Sequence, residues 1–203
     1  MFQLKKSYNK YMANITLIGR PEAVLTNDVA NMISAQTGST VNKIHPDDFL
    51  ADRYNADDEF LITYVTTMDR RQAIADKIDA DGLARATFIH NSAIVDPTAV
   101  INSGTFVGPF CIVAYESVIN NDCLVAPYTL VSHRANLGQG TVTNPGAMIA
   151  GAVTVGKYCL MGIRSTTVDQ IEICDRVQVG PCAFITKTIT EPGRYLGSPA
   201  RRG

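Results

Sequence analysis

The chain has 203 residues, with 18 lysines and arginines against 19 acids, a net charge of −1 and five cysteines. That length holds one repeat domain of about half the chain plus a small globular unit. The balanced charge excludes a nucleic-acid footprint, no run approaches the ~18 apolar residues of a membrane span, and the start MFQLKKSYNKYMA lacks the apolar core of a signal peptide, so a cytoplasmic protein is expected.

Residues 1–13 carry Lys5, Lys6 and Lys10 and read as an N-terminal arm, either flexible or docking. Residues 14–88 read as a small α/β, Rossmann-like domain. Asn14 to Gly19 and Glu59 to Thr67 are short buried-strand runs, Thr40 to Ile44 is a weaker alternating strand, and helical patterns lie near Pro21 to Gln36 and Met68 to Ala80. This order favours a largely parallel sheet. A nucleotide-binding sheet of this kind follows its first strand with a glycine-rich phosphate loop, but Gly19-Arg20-Pro21-Glu22-Ala23 has one glycine, a proline without an amide hydrogen and a glutamate that repels phosphate. Arg20 is left as a candidate for an acidic substrate group. His45 precedes Pro46 in a loop-like HPDD stretch.

From Ile89 to Thr190 the sequence repeats every six residues. Counting from Ile89, position one of seventeen hexads is aliphatic or Met in fifteen, with Thr143 and Thr167 the exceptions. Position five is small or β-branched throughout, as at Cys111, Cys123, Ala135 and Cys159. A period of six cannot follow a helical stripe at 3.6 residues, but it suits a short strand followed by a tight corner. The expectation is a mainly β chain whose residues 89–190 form a left-handed parallel β-helix, followed by a tail at 191–203. Gly104, Gly108, Asn120, Asn121, Gly138, Gly140, Gly156, Gly162 and Gly180 are expected at corners, where left-handed or tight backbone favours them. Cys111, Cys123 and Cys159 read as core fillers, and no Cys/His spacing for zinc occurs, so no metal is expected.

Among three histidines, only His133 sits well within the repeat, at position three of its hexad. Histidine is the side chain best suited to take a proton near neutral pH. If a coil holds eighteen residues, Tyr115 stacks above His133 and Gly151 below it, and the small run Ala150-Gly151-Ala152 would leave a groove for a narrow coenzyme arm with backbone amides near an oxyanion.

The repeat, together with His45-Pro46, Ala84 to Val95, Ser132-His133, the stretch Pro145 to Gly156 and the terminal YLGSPAR (Tyr195 to Arg201), resembles the left-handed β-helix acyltransferases. It is more closely similar to the bacterial sugar acetyltransferases that include sialic-acid O-acetyltransferases and bacillosamine-pathway N-acetyltransferases. The resemblance covers about residues 40–203. It implies a homotrimer that binds acetyl-CoA between neighbouring β-helices, an N-terminal sheet that holds a nucleotide-linked sugar, and His133 as the base that deprotonates the acceptor amine or hydroxyl. It also implies that the backbone of Gly151, Ile163 and Gly180 lines the coenzyme groove.

Four departures from that family stand out. Arg134 follows the histidine where an acid is usual, and an adjacent cation weakens a general base; Glu116, one coil earlier, is placed to pair with Arg134, and both are candidate substrate contacts. Val142 replaces a polar histidine, Pro181 removes an amide donor beside Gly180, and the glycine-rich loop is missing. Lys157, Lys187, Arg201 and Arg202 are candidates for coenzyme phosphates, with solvated corner charges as the alternative reading. The leading expectation is an acetyl-CoA-dependent N-acetyltransferase acting on a nucleotide-linked amino sugar for surface-glycan synthesis. The alternatives are a sialic-acid-type O-acetyltransferase and a non-catalytic scaffold trimer. A β-helical carbonic anhydrase would need three histidines on one metal, and His90 and His133 do not share a column.

Overall fold

The computed structural model describes residues 14–203; the basic arm of residues 1–13 lies outside them. Strands β1 (Asn14–Ile18), β2 (Thr40–Ile44) and β3 (Glu59–Ile62) form a parallel sheet in the order β2-β1-β3. Helices α1 (Val24–Thr37), α2 (Pro46–Leu50) and α3 (Met68–Ala80) accompany them. Side chains alternate across a strand, so Ile15, Leu17 and Leu61 meet Val29 and Ile33 of α1, whereas Ile18, Phe60 and Ile62 meet Phe49 of α2 and Ile74 and Ile78 of α3.

Three local expectations shift. Helix α1 starts at Val24 rather than Pro21, because the Ala23 amide donates to the Arg20 carbonyl at 2.9 Å and closes a turn ahead of the helix. Strand β3 ends at Ile62 rather than Thr67, since the amides of Thr63 and Tyr64 both donate to the Ile18 carbonyl. The HPDD stretch opens a helix instead of a loop: His45 Nδ1 accepts from the Asp47 amide at 3.2 Å, Pro46 takes the first helical position, and Asp47 and Asp48 complement the N-terminal dipole.

From Phe88 onward the chain is a parallel β-solenoid with eighteen residues per coil, as in the pairing of Leu124 with Val142 and of Val142 with Leu160. Its two-residue strands stack into three sheets, one per face. Position-one side chains such as Val107, Val125, Val131 and Leu137 are wholly buried in the prism beside Cys111, Cys123 and Cys159. The two position-one threonines are satisfied there: Thr143 Oγ1 lies 3.2 Å from Thr129 Oγ1, and Thr167 Oγ1 accepts from the Ala150 amide at 2.9 Å. The rhythm holds to Ile185 and then breaks. Ile173 pairs with Ile189 and Val177 with Gly193, sixteen residues apart, so Ile189 fills a position-one place rather than the expected position five. Gly193–Leu196 and Arg201–Arg202 then extend the first sheet.

The corners differ from expectation in an instructive way. Position four has φ between 51° and 77° at fourteen successive corners, from Gly104 to Cys182, yet only Gly104, Gly140 and Gly146 are glycines. A left-handed residue with a Cβ costs about 1 kcal/mol or more. That cost is offset by a hydrogen bond worth about as much. From Asp122 to Cys182 each such residue donates its amide to the carbonyl nineteen residues earlier, as Arg134 does to Tyr115 at 2.8 Å. At Gly104, Phe110 and Glu116 the hydroxyls of Thr87, Ser92 and Thr98 accept instead. Gly108, Gly138, Gly156, Gly162 and Gly180 are not left-handed. They answer to crowding: a Cβ on Gly138 would lie 2.5 Å from the Gly156 carbonyl carbon, and one on Gly162 would lie 2.5 Å from that of Gly180.

Position-six side chains point outward. On the first face Phe88, Phe106, Leu124 and Val142 are buried against Ile15, Leu17 and Met68, which docks the α/β unit onto the solenoid. On the second face Ile94, Ile112, Met148 and Phe184 stay exposed.

Candidate functional site

His133 lies on the corner between the second and third faces, two residues beyond the strand Leu130–Val131. Its ring stacks downward onto Gly151: a Cβ there would press on Cε1 and Nε2 of the imidazole. The glycine gap expected to admit a coenzyme arm is therefore filled by the histidine's own ring, and Gly151 sets where that ring rests. The Ala152 amide donates to the His133 carbonyl at 2.8 Å, fixing the backbone beneath it. The Gly151 amide is itself engaged by Asp169 Oδ1 at 2.8 Å, so the oxyanion donor expected from this stretch already has an acceptor.

Arg134 turns the other way. Its Nε donates to Glu116 Oε2 at 3.2 Å, one coil above, as the eighteen-residue spacing requires. The Tyr115 hydroxyl hydrogen-bonds the same carboxylate, and together with Arg134 it holds the Glu116 carboxyl below its usual range despite partial desolvation. The cation beside His133 is thus paired within its own corner.

The remaining candidates are spread around the prism. Lys157 is exposed on the corner between the third and first faces, with its amide held by Asp175 Oδ1 at 2.7 Å. Ile163, 49 % exposed, sits on the corner between the first and second faces in one column with Pro109, Pro127, Pro145 and Pro181. Gly180 is buried on that corner under Leu196, and its amide donates to the Tyr195 carbonyl at 2.8 Å. Arg201 is exposed near the C-terminal end, where its Nη1 donates to the Ala200 carbonyl at 2.9 Å. Arg20 is exposed after β1. No single chain brings these residues together.

The loop Gly19 to Ala23 is packed shut. A Cβ on Gly19 would meet Oγ1 of both Thr26 and Thr63, and Asn27 Nδ2 donates to the carbonyls of Pro21 and Ala23 at 3.0 Å. The glycine thus serves close packing of β1 against α1 and β3. Val142 is wholly buried under the α/β unit. Phe106 and Tyr158 are buried there as well, whereas Phe110, Tyr115 and Tyr128 are exposed and the first and third of these stack at 5.1 Å.

One residue that belongs to no recognisable motif joins the two units. Arg71 of α3 is fully buried, and its guanidinium donates to the carbonyls of Ile62 (3.0 Å), Tyr64 (2.9 Å), Gly140 (3.0 Å) and Asp122. Arg85 adds an ion pair to the buried Asp122 carboxylate at 2.8 Å. Among the described residues no group of His, Cys, Asp or Glu is placed to hold a metal ion, and no helix is long and apolar enough to cross a membrane.

The comparison with solved structures rests on this whole arrangement. The acetyltransferase domain of PglB from Neisseria gonorrhoeae superposes with a TM-score of 0.83 at 21 % identity, covering 93 % of this chain and 98 % of that one. The chain has the fold of that domain, a parallel β-solenoid of hexapeptide repeats joined to a small α/β unit. PerB from Caulobacter crescentus, solved with CoA and GDP-perosamine, superposes with a TM-score of 0.81 at 19 % identity over 94 % of this chain and 97 % of its own. The PglB domain has also been solved with acetyl coenzyme A. By sequence, a stretch of 52 residues is 40 % identical to a probable UDP-3-O-acylglucosamine N-acyltransferase of Arabidopsis thaliana, and 49 residues are 35 % identical to a UDP-3-O-acylglucosamine N-acyltransferase of Herminiimonas arsenicoxydans. The chain spans only 17 % and 14 % of the lengths of these two relatives. No family model matches it.

Proposed function

We propose that this protein transfers the acetyl group of acetyl-CoA to the amino group of a nucleotide-linked sugar, within the branch of sugar acetyltransferases that its sequence resembles, with His133 as general base. The observation that carries the reading is the agreement of fold, across both the α/β unit and the solenoid, with proteins solved in complex with acetyl coenzyme A or with CoA and GDP-perosamine. The placement of His133 supports it: an exposed imidazole rests on a glycine on an otherwise regular corner. In the reaction the imidazole takes a proton from the acceptor amine as the nitrogen attacks the thioester carbonyl. The tetrahedral adduct then expels the thiolate, which recovers that proton from the imidazolium.

We read the working unit as a homotrimer. His133, Lys157 and the Ile163–Gly180 pair occupy three different corners of one prism, so they can share a site only across chains. The exposed apolar second face, with Phe110 and Tyr128 at its edge, suits burial between copies. The test is incubation with acetyl-CoA and a panel of nucleotide-linked amino sugars, with products read by mass spectrometry. One acetylated sugar, lost in His133→Ala, is the expected result. Absence of both acetyl transfer and acetyl-CoA binding would replace the reading with the scaffold alternative.

A further inference from the structure

Of the amides of Arg134, Gly151 and Ala152 around His133, only that of Gly151 is held by a side chain. Arg134 donates to the Tyr115 carbonyl and Ala152 to the His133 carbonyl, both at 2.8 Å, and these bonds fix left-handed corners. Gly151 donates instead to Oδ1 of Asp169 at 2.8 Å, and Asp169 is exposed. A change of rotamer at Asp169 therefore frees this amide without disturbing the coil, because the Gly151 carbonyl stays bonded to the Gln170 amide at 2.9 Å. The same contact recurs on another corner, where Asp175 Oδ1 takes the Lys157 amide at 2.7 Å. Amides at position three of the hexad thus point outward, where either a side chain or a ligand can accept from them.

What sets Gly151 apart is the imidazole that rests on it. A Cβ on Gly151 would lie 2.5 Å from Nε2 of His133. The Cβ and amide nitrogen of one residue are about 2.5 Å apart, so the Gly151 nitrogen is within about 5 Å of Nε2. One tetrahedral carbon fits between them, its nucleophile turned to the imidazole and its oxygen to the amide, each at a hydrogen-bond distance of about 3 Å. In the resting protein a carboxylate oxygen of Asp169 stands in that oxygen's place. It carries the same charge as an oxyanion, so the two cannot share the amide.

We propose that Asp169 is a built-in competitor for the Gly151 amide, displaced when the oxygen of an incoming acyl group takes its place. The inference rests on the acetyl-transfer reading for the identity of that acyl group but not for the competition. It makes Asp169 a positioning residue that sets discrimination between acylated and free coenzyme, since only the first brings a carbonyl oxygen to the amide. The test compares wild type with Asp169→Ala, which vacates the amide, and Asp169→Asn, which keeps a carbonyl acceptor without the charge. Calorimetric titrations with acetyl-CoA and with CoA give the affinity ratio of the two in each protein. With no hydrogen bond left to displace, Asp169→Ala is expected to raise that ratio roughly fivefold, with kcat/KM for acetyl-CoA rising in step, while Asp169→Asn keeps the wild-type ratio. Loss of the negative charge alone acts on both forms of the coenzyme alike and cancels in the ratio. A ratio that is unchanged or lower in Asp169→Ala overturns the proposal. If neither form binds any of the three proteins, the acetyl-transfer reading falls, and titration with sodium acetate, followed by the Gly151 amide resonance, decides the competition separately. A resonance that moves in Asp169→Ala but not in wild type supports the competitor; any other pattern overturns it.

Discussion

At the scale of single residues, the corner of His133 turns on one missing Cβ. Because the imidazole rests on Gly151, Gly151→Ala should push the ring off its seat and lower turnover nearly as much as His133→Ala, for which a loss of roughly a hundredfold or more is expected if the ring is the base. Steady-state rates of the two variants at saturating acetyl-CoA check this; full activity in His133→Ala would sink the assignment. The thiols give a second residue-scale prediction. Burial pushes the pKa of Cys111 up to about 11 and those of Cys123 and Cys159 up to about 12, so at neutral pH these three remain protonated and shielded, and a thiol reagent should label the exposed Cys182 first. Each pKa is raised on folding, so the unfolded chain loses these protons first. Stability should then fall as pH rises above about 9, by about 1.4 kcal/mol per pH unit for each thiol. Melting curves between pH 8 and 11, with Cys123→Ala for comparison, test the sign.

At the scale of elements, the hexad made most of the solenoid legible, since only position one and position five alternate into a narrow prism and their chemistry is visible in the residues themselves. What stayed hidden was settled by contacts between coils. Arg134, Tyr158 and Arg176 do not look like left-handed residues, but the carbonyl one coil above holds them there. Gly138 and Gly162 look like left-handed corners and are instead crowded by backbone. The break after Ile185 was illegible because Ile189 is apolar and fits either count. Helix α2 did carry a signal in His45, Pro46 and the two aspartates, obscured by the usual association of His-Pro with loops. The site was half legible: spacing gave the His133–Gly151 stack and the Arg134–Glu116 pair, but not the amide contacts made by Asp169 and Tyr195. If position-four residues are strained, Ala152→Gly should stabilise by about 1 kcal/mol, while Gly138→Ala should destabilise by more. Denaturant titrations of the two variants separate backbone strain from crowding.

For the whole molecule, the decisive joint is the one between the α/β unit and the solenoid, since a sugar held by the first could reach a histidine on the second only if their mutual position is fixed. Apolar packing of Phe88, Phe106, Leu124 and Val142 supplies affinity without direction, and Arg71 supplies direction by donating to carbonyls of β3, the loop after it and two solenoid corners. In the sequence Arg70-Arg71 reads as the polar surface of α3; only docking of two units that fold from separate stretches buries one arginine of the pair. Methionine at this position keeps much of the side-chain volume but removes every donor, leaving four buried carbonyls without that partner, a loss of roughly 3–5 kcal/mol by analogy with breaking buried charged networks. The solenoid core, from Ile89 to Ile189, does not include this contact and should survive the change. Arg71→Met is therefore expected to split one cooperative unfolding transition into two, with amides of β1 and β3 exchanging well before those of Val131 and Ile149. A single transition at the wild-type temperature, with uniform exchange, would show that apolar packing alone sets the joint.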